Sequence, residues 1–425
     1  MATNAEVGLK FLVPAASRAA LVAAVAGRGA SKPAWQTASA PDAAHADGSE
    51  AGMRFQTQLH RLSRRVRTRG AVVEITVDEG RLLAEGAVRR LCEVGFELVS
   101  GSPVAMLALA ERWRAHFGLV LDPRHKAERG HALACGQPDA PLRKAAKPHY
   151  AKDATPVEAL GVVLDECLDH IGRSAIGLAE GDPAQRDEHV HQCRVGIRRL
   201  RSALKAFAGW VAEPPPERVD GLRQWFAALG TARDRDVLGS GVAADLARAG
   251  APPLALPGEA DAADPVALAR AGDTQRLLLA WLSWRTGLAP AGAAPEGPLK
   301  RLARQRLRRW HKRLVAAARA FDTLDDAALH ALRKRIKRQR YAVEFFAPLL
   351  PARAAARHRR ALAAAQQSLG RINDLAVARA GYEGLVARDP AAWFAVGWLT
   401  ARIAEARLRA REELGALVAL APLGR

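Results

Sequence analysis

Only 4 cysteines occur in 425 residues, and Cys92, Cys135, Cys167 and Cys193 lie too far apart to make a CxxC pair or a zinc-like cluster. This excludes a disulfide framework and a cysteine metal site, and it fits a reducing cytoplasm. No stretch of about 20 residues is free of charge, and Glu6 and Lys10 precede any apolar run, which argues against a membrane span or a signal peptide. Aromatic residues are only 5%. Alanine, leucine and arginine dominate instead, a composition that favours helix over sheet in most of the chain. Acidic residues are also in deficit: 44 stand against 64 lysines and arginines, a formal charge of +20. Such a balance calls for an anionic partner without saying which.

The length implies two or three domains. Short alternating runs at 7–13 (VGLKFLV), 71–78 (AVVEITVD) and 92–99 (CEVGFELV) predict strands with one buried face. A helix is predicted at 103–117, and the Gly, Ala, Ser and Pro stretch from Gly27 to Arg54 reads as a mobile loop. These elements form a domain over 1–135, small and α+β. The stretch GQPDAPLRKAAKPHYAKDATP, with three prolines before Pro156, reads as a linker over 136–155. Everything from 156 to 425 reads as helical. The predicted helices are 156–180, 184–211, 217–229, 234–249, 264–286, 297–321, 325–347, 352–368, 374–388 and 391–417, with prolines or with Gly230 and Gly370 at several breaks. The chain is therefore mainly α.

In the helical region the same segment occurs twice. HQCRVGIRRLRSALKAF at 191–207 and HALRKRIKRQRYAVEFF at 330–346 carry the same residue classes at almost every matching position. A second pair, LGTARDRDV at 229–237 and LGRINDLAV at 369–377, follows in the same order at nearly the same offset of about 140 residues, so a helical unit has been duplicated. Two pseudo-symmetric halves follow, about 156–262 and 263–425. At 100° per residue His191, Arg194, Arg198, Arg201 and Lys205 share one helical face, a row of about 15 Å from His191 to Arg201. His330, Arg333, Lys337 and Arg340 repeat it. Like charges at this spacing repel and no acidic residues are interleaved, so a polyanion would relieve both rows. Lys300, Arg304, Arg308 and Lys312 form a third row on the preceding helix, which could wall a continuous groove with the second. Asp234 and Asp374, each just past a glycine, could cap backbone N–H groups or hold an arginine of the rows.

The four blocks HQCRVGIRRLRSAL, LGTARDRDV, LHALRKRIKRQRYAVEFF and LGRINDLAV resemble the signature blocks of the CHAD family, the helical domain named for its histidines. The resemblance covers about 153–425. It implies an all-helical fold of two four-helix-bundle-like halves that bind inorganic polyphosphate along a basic central groove or pore. Carried over, the binding positions are His191, Arg194, Arg198, Arg201, His330, Arg333, Lys337 and Arg340; Lys205 and the row Lys300, Arg304, Arg308 and Lys312 extend them by helical spacing. Arginine's planar fork suits phosphate oxygens and lysine adds a mobile point charge. The two histidines could donate to phosphate or orient their neighbours.

EVGLKFLVP at 6–14 resembles the opening strand of the CYTH fold, an antiparallel triphosphate tunnel whose first strand carries ExExK. HKAERGHAL at 125–133 is similar to its closing strand, and AVVEITVDEG with CEVGFELVSG to its middle. That fold holds divalent metal with alternate carboxylates. Here Gly8 stands at the central carboxylate position, and Glu93 and Glu97 flank Gly95. The resemblance is thus to a degenerate barrel without catalytic, metal or cofactor sites, with residual anion binding at Lys10, Lys126 and Arg129.

These readings converge on a non-enzymatic protein of the cytoplasm that binds polyphosphate and is targeted to granules containing it. Two alternatives differ in class: a metal-dependent inorganic triphosphatase in the N-terminal domain, and nucleic-acid binding. The rows hold few aromatics for stacking and few Asn or Gln for base edges, so nucleic acid would be held only non-specifically, by its backbone.

Overall fold

The structure is a computed structural model that describes residues 8–27, 29–40, 55–84, 86–137, 140–237, 241–254 and 263–423. The N-terminal region holds six strands: β1 (Gly8–Leu12), β2 (Ala34–Ala40), β3 (Phe55–Thr68), β4 (Ala71–Ala84), β5 (Ala87–Gly101) and β6 (Val120–Leu121). They form one antiparallel sheet in the order β2-β3-β4-β5-β1-β6. Helix α1 (Arg18–Val25) follows β1, and α2 (Pro103–Phe117) and α3 (Lys126–Ala134) follow β5 and β6.

Alternation gives the sheet two different faces. Val73, Ile75 and Val77 of β4 and Val94 and Phe96 of β5 are buried on one, and α2 covers them, with Trp113 edge-on to Phe96. The other face carries the opposed pair Asp78 and Glu93 and is covered by α3. Gly130 permits this close seating, because a Cβ there would enter the Phe55 ring.

Two expectations for this region are corrected. HKAERGHAL forms helix α3 and not a strand: it has no β-branched residue, Glu128 sits in its first turn and His131 in its last, an arrangement suited to the helix dipole. The expected loop from Gly27 to Arg54 contains β2, which pairs along β3; residues 41–54 lie outside the described residues, as does Glu6. Strand β3 itself is hidden in the sequence by its four arginines, which interrupt apolar alternation after Leu59.

From 156 onward the chain is helical: α4 (Pro156–Glu180), α5 (Arg186–Phe207), α6 (Pro216–Val237), α7 (Ala243–Arg248), α8 (Pro265–Arg270), α9 (Gly272–Thr286), α10 (Leu299–Arg319), α11 (Asp326–Phe345), α12 (Ala352–Glu383) and α13 (Ala392–Val418). The start of α4 follows from its sequence, since Thr155 and Glu158 close a capping box with Pro156 in the first turn. Gly230 and Gly370 do not break the chain: α6 and α12 run straight through them. The long core stripes of α4, α5, α11 and α12 join one continuous apolar cluster with the apolar face of the sheet. Buried Gln275 on α9 ties sheet and helices together by accepting from the backbone N–H of Leu121 at 2.8 Å and donating to the Ala269 carbonyl at 2.7 Å. Among the described residues no helix is long and apolar enough to cross a membrane.

Candidate anion-binding site

Helices α5 and α11 are the two repeated segments, and they pack against one another. Helix α5 buries Val190, Cys193, Ile197, Leu200, Ala203 and Phe207, which leaves the row Arg194, Arg198, Arg201 half-buried on the flank facing α6. Phe226 of α6 lies under all three, with ring-to-guanidinium distances of 4.2, 5.4 and 5.9 Å. An aromatic face attracts cations and costs them little of their reach to an anion. Arg194 also donates to the Phe226 carbonyl at 2.9 Å.

On α11 the matching row faces α12. His330 is hydrogen-bonded by Asn373, Arg340 donates to Gln366 at 2.9 Å, and Arg333 stands 3.9 Å from Asp374. Asp374 therefore takes the second of its two expected roles, steadying an arginine; the side chain of Asp234 lies outside the described residues. The rows of α5 and α11 act on each other. Burial, then the charges of Arg198 and Arg333, push the Lys337 ammonium down to about 7, with Asp374 pulling the other way. Burial and Arg198 likewise lower Arg333, again opposed by Asp374. Burial, then Arg338, Arg201, Arg223 and Lys334, lower Lys205. A cluster in which cations depress one another is short of negative charge, and an anion entering it would restore them.

The two copies meet at matching positions. Phe207 and Phe346, which align in the repeat, pack with ring centroids 5.0 Å apart. Buried Arg199 of α5 pairs with Glu344 of α11. The reverse combination, Arg338 with Lys205, sets cation against cation. The first copy of the second motif block is explained by the row beside it: a Cβ on Gly230 would collide with the Arg194 guanidinium, whereas at Gly370 a Cβ would only touch Arg333, at 3.8 Å. Gly230 leaves the space into which Arg194 reaches, and Gly370 lies beside the matching Arg333. In the sequence these glycines read as helix breaks, because spacing along the chain gives no sign of what approaches from another helix.

The third row departs from expectation. Gln339 of α11 donates to the Leu307 carbonyl of α10, and Lys337 lies about 160° round α11 from Gln339. Arg306 of α10 stacks on Trp210 at 3.9 Å and donates to the Ala206 carbonyl, about 160° from Arg304. The α11 row thus points away from its contact with α10, and the two rows do not wall one groove. Lys300, Arg304 and Arg308 line a separate hollow with Lys152 and the turn Pro348–Pro351, and Lys312 is exposed.

In the N-terminal region, the cations expected to retain anions are already engaged. Lys126 bridges Asp78, at 2.6 Å, and Glu93. Arg129 lies 3.7 Å from Glu93 and 3.6 Å from Asp122, and Asp122 is held by Arg124 at 2.7 Å. Lys10 is 3.4 Å from the His125 ring. Burial raises the Asp78 carboxyl, but hydrogen bonds from Arg61 and Lys126 and their charges outweigh it and hold the group below the ordinary range.

With this geometry in hand, two comparisons place the helical region. The CHAD domain family matches residues 162–383. A crystal structure of the CHAD domain from the plant Ricinus communis is 30% identical, superposes with a TM-score of 0.54, and covers 67% of this chain and 99% of its own.

Proposed function

Because the chain belongs to the CHAD family, we propose that it binds inorganic polyphosphate, without turnover, along the facing cation rows of α5 and α11. The observation that carries this reading is the half-buried cation cluster, with Arg194, Arg198 and Arg201 gathered on Phe226 and Arg333 beside the carboxylate of Asp374, at 3.9 Å; the lowering of Lys337 and Arg333 by burial and by Arg198 agrees with it. A linear anion with one charge per phosphate matches cations spaced one turn apart on two helices. The reciprocal contacts Phe207 with Phe346, Arg199 with Glu344 and Lys205 with Arg338 support two pseudo-symmetric halves, each contributing one wall. His191 and His330 flank the row ends, and His330, held by Asn373, serves as an orienting group.

The N-terminal sheet is read as a degenerate CYTH-like scaffold over about 1–135. Lys126 occupies the place between Asp78 and Glu93 where a tunnel enzyme would need a divalent cation, which favours binding over triphosphatase chemistry. We take the protein to act in the cytoplasm, at granules that store polyphosphate. The test is competition at fixed salt, since a +20 protein binds any polyanion when salt is low. At about 0.15 M salt long polyphosphate should displace duplex DNA and single-stranded RNA. Displacement in the opposite direction would reassign the rows to nucleic acid.

A further inference from the structure

The hollow beside α10 is outside the α5–α11 site, and polyphosphate binding along that seam makes no use of it. Its larger section, about 600 Å³, is lined by Lys152, Asp153, Lys300, Arg301, Arg304 and Arg308, among others. A smaller section of about 230 Å³ shares Lys152, Lys300 and Arg304 and ends on Pro348–Pro351. Five cations therefore surround one carboxylate. Among the described residues Lys152, Lys300, Arg304 and Arg308 form no ion pair, and the buried Arg304 Nε has no hydrogen-bond partner.

The α10 cations are stacked at i, i+4 and i+8, so they repel along about 12 Å of helix with nothing interleaved. The Pro348–Pro351 wall leads straight into the first turn of the 32-residue helix α12. That turn has no side-chain cap and no acidic residue, so its free N–H groups and the positive end of its dipole add to the same region. The face of α10 that packs into the protein is the stripe Leu299, Ala303, Leu307 and Leu314; the cations are not needed to hold the helix in place.

We propose that this hollow is a second, independent anion site for a short oligophosphate, either free or as the phosphate tail of a nucleotide. A single orthophosphate cannot reach three successive turns of α10; a chain of a few phosphates can. The inference takes its ligand chemistry from the polyphosphate reading but places it on different residues.

Titration calorimetry of the full chain with tripolyphosphate at about 0.15 M salt tests it with four proteins: wild type, Arg198→Gln with Lys337→Gln, Lys300→Gln with Arg304→Gln, and all four changes together. Wild type should bind two tripolyphosphates, each paired variant one, and the combined variant none, with unfolding temperatures recorded to confirm folded protein. ATP in place of tripolyphosphate distinguishes the sources: binding lost only in the Lys300 and Arg304 variant assigns the hollow to nucleotides, and no ATP binding there assigns it to free oligophosphate. Arg308→Gln alone should weaken the hollow about tenfold, and it stands in if the paired variant does not fold. If Lys300→Gln with Arg304→Gln leaves both sites intact, or wild type has one site that Arg198→Gln with Lys337→Gln removes, the hollow proposal falls and the α5–α11 reading stands. If the hollow variant alone removes all binding, the α5–α11 reading falls and the hollow stands.

Discussion

Phe207 and Phe346 occupy the same position in two copies of one motif and touch each other, ring centre to ring centre at 5.0 Å. A residue meeting its own counterpart puts the two copies across a common seam, so the charged positions beside them meet as well. In one sense the seam is satisfied, Arg199 on Glu344; in the other it is not, Arg338 near Lys205.

The two arginines should therefore respond oppositely to removal. Arg199 is 2% exposed and also donates to the Ala146 carbonyl at 3.0 Å, so Arg199→Ala leaves a carboxylate unpaired and should cost about 3–5 kcal/mol. Arg338→Ala loses its contact with Trp310, 4.7 Å away, but relieves Lys205, and should stay within about 1 kcal/mol of wild type. Urea unfolding of both variants measures the contrast.

Gly230→Ala separates a role in stability from a role in positioning. Alanine in mid-helix should gain up to about 1 kcal/mol, and the group it meets is the movable end of Arg194. Unfolding temperature should hold or rise while polyphosphate affinity falls, as Arg194 is driven off the Phe226 carbonyl. Affinity equal to wild type would mean that the position of Arg194 does not matter.

How far the sequence reaches is clearest at these residues. The rows are legible because the helical period places His191 to Lys205, and His330 to Arg340, each on one face. Strands β1, β4 and β5, and helix α4 with its cap, are legible through alternation and Thr155. What periodicity does not carry is direction in space: it cannot show that the α11 row turns away from α10, or that Gly230 leaves room for the Arg194 guanidinium. Nor can it tell that 125–133 folds back as a helix whose lysine fills the gap between Asp78 and Glu93.

A lysine at about 7 makes the binding pH-dependent. Affinity for polyphosphate should fall as pH rises from about 6 to about 8.5, because Lys337 loses its charge, and Lys337→Arg should flatten the profile. The stability of the free protein should move the other way. Lys337 is lowered on folding, so between about 7 and the unfolded lysine value near 10.4 the unfolded state binds more protons and stability rises with pH.

In the N-terminal sheet, Lys126→Ala leaves Asp78 and Glu93 opposed without their shared ammonium and should destabilise the chain by about 3 kcal/mol. The Asp78 carboxyl is held low, so its contribution is present above the unfolded value of about 3.9 and is lost as pH falls through the folded value. Wild type with Mg²⁺ or Mn²⁺ should release no phosphate from tripolyphosphate; release in a phosphate assay would restore the enzyme reading.

The most direct test is the affinity of Arg198→Ala with Lys337→Ala for long-chain polyphosphate at about 0.15 M salt, beside the unfolding temperature of the same protein. Removing two mutually repelling cations should leave the free protein as stable as wild type or more so, while affinity falls at least about tenfold, the worth of one or two charge-assisted hydrogen bonds. Affinity equal to wild type in a folded variant would contradict the account and move the polyphosphate site off the α5–α11 seam.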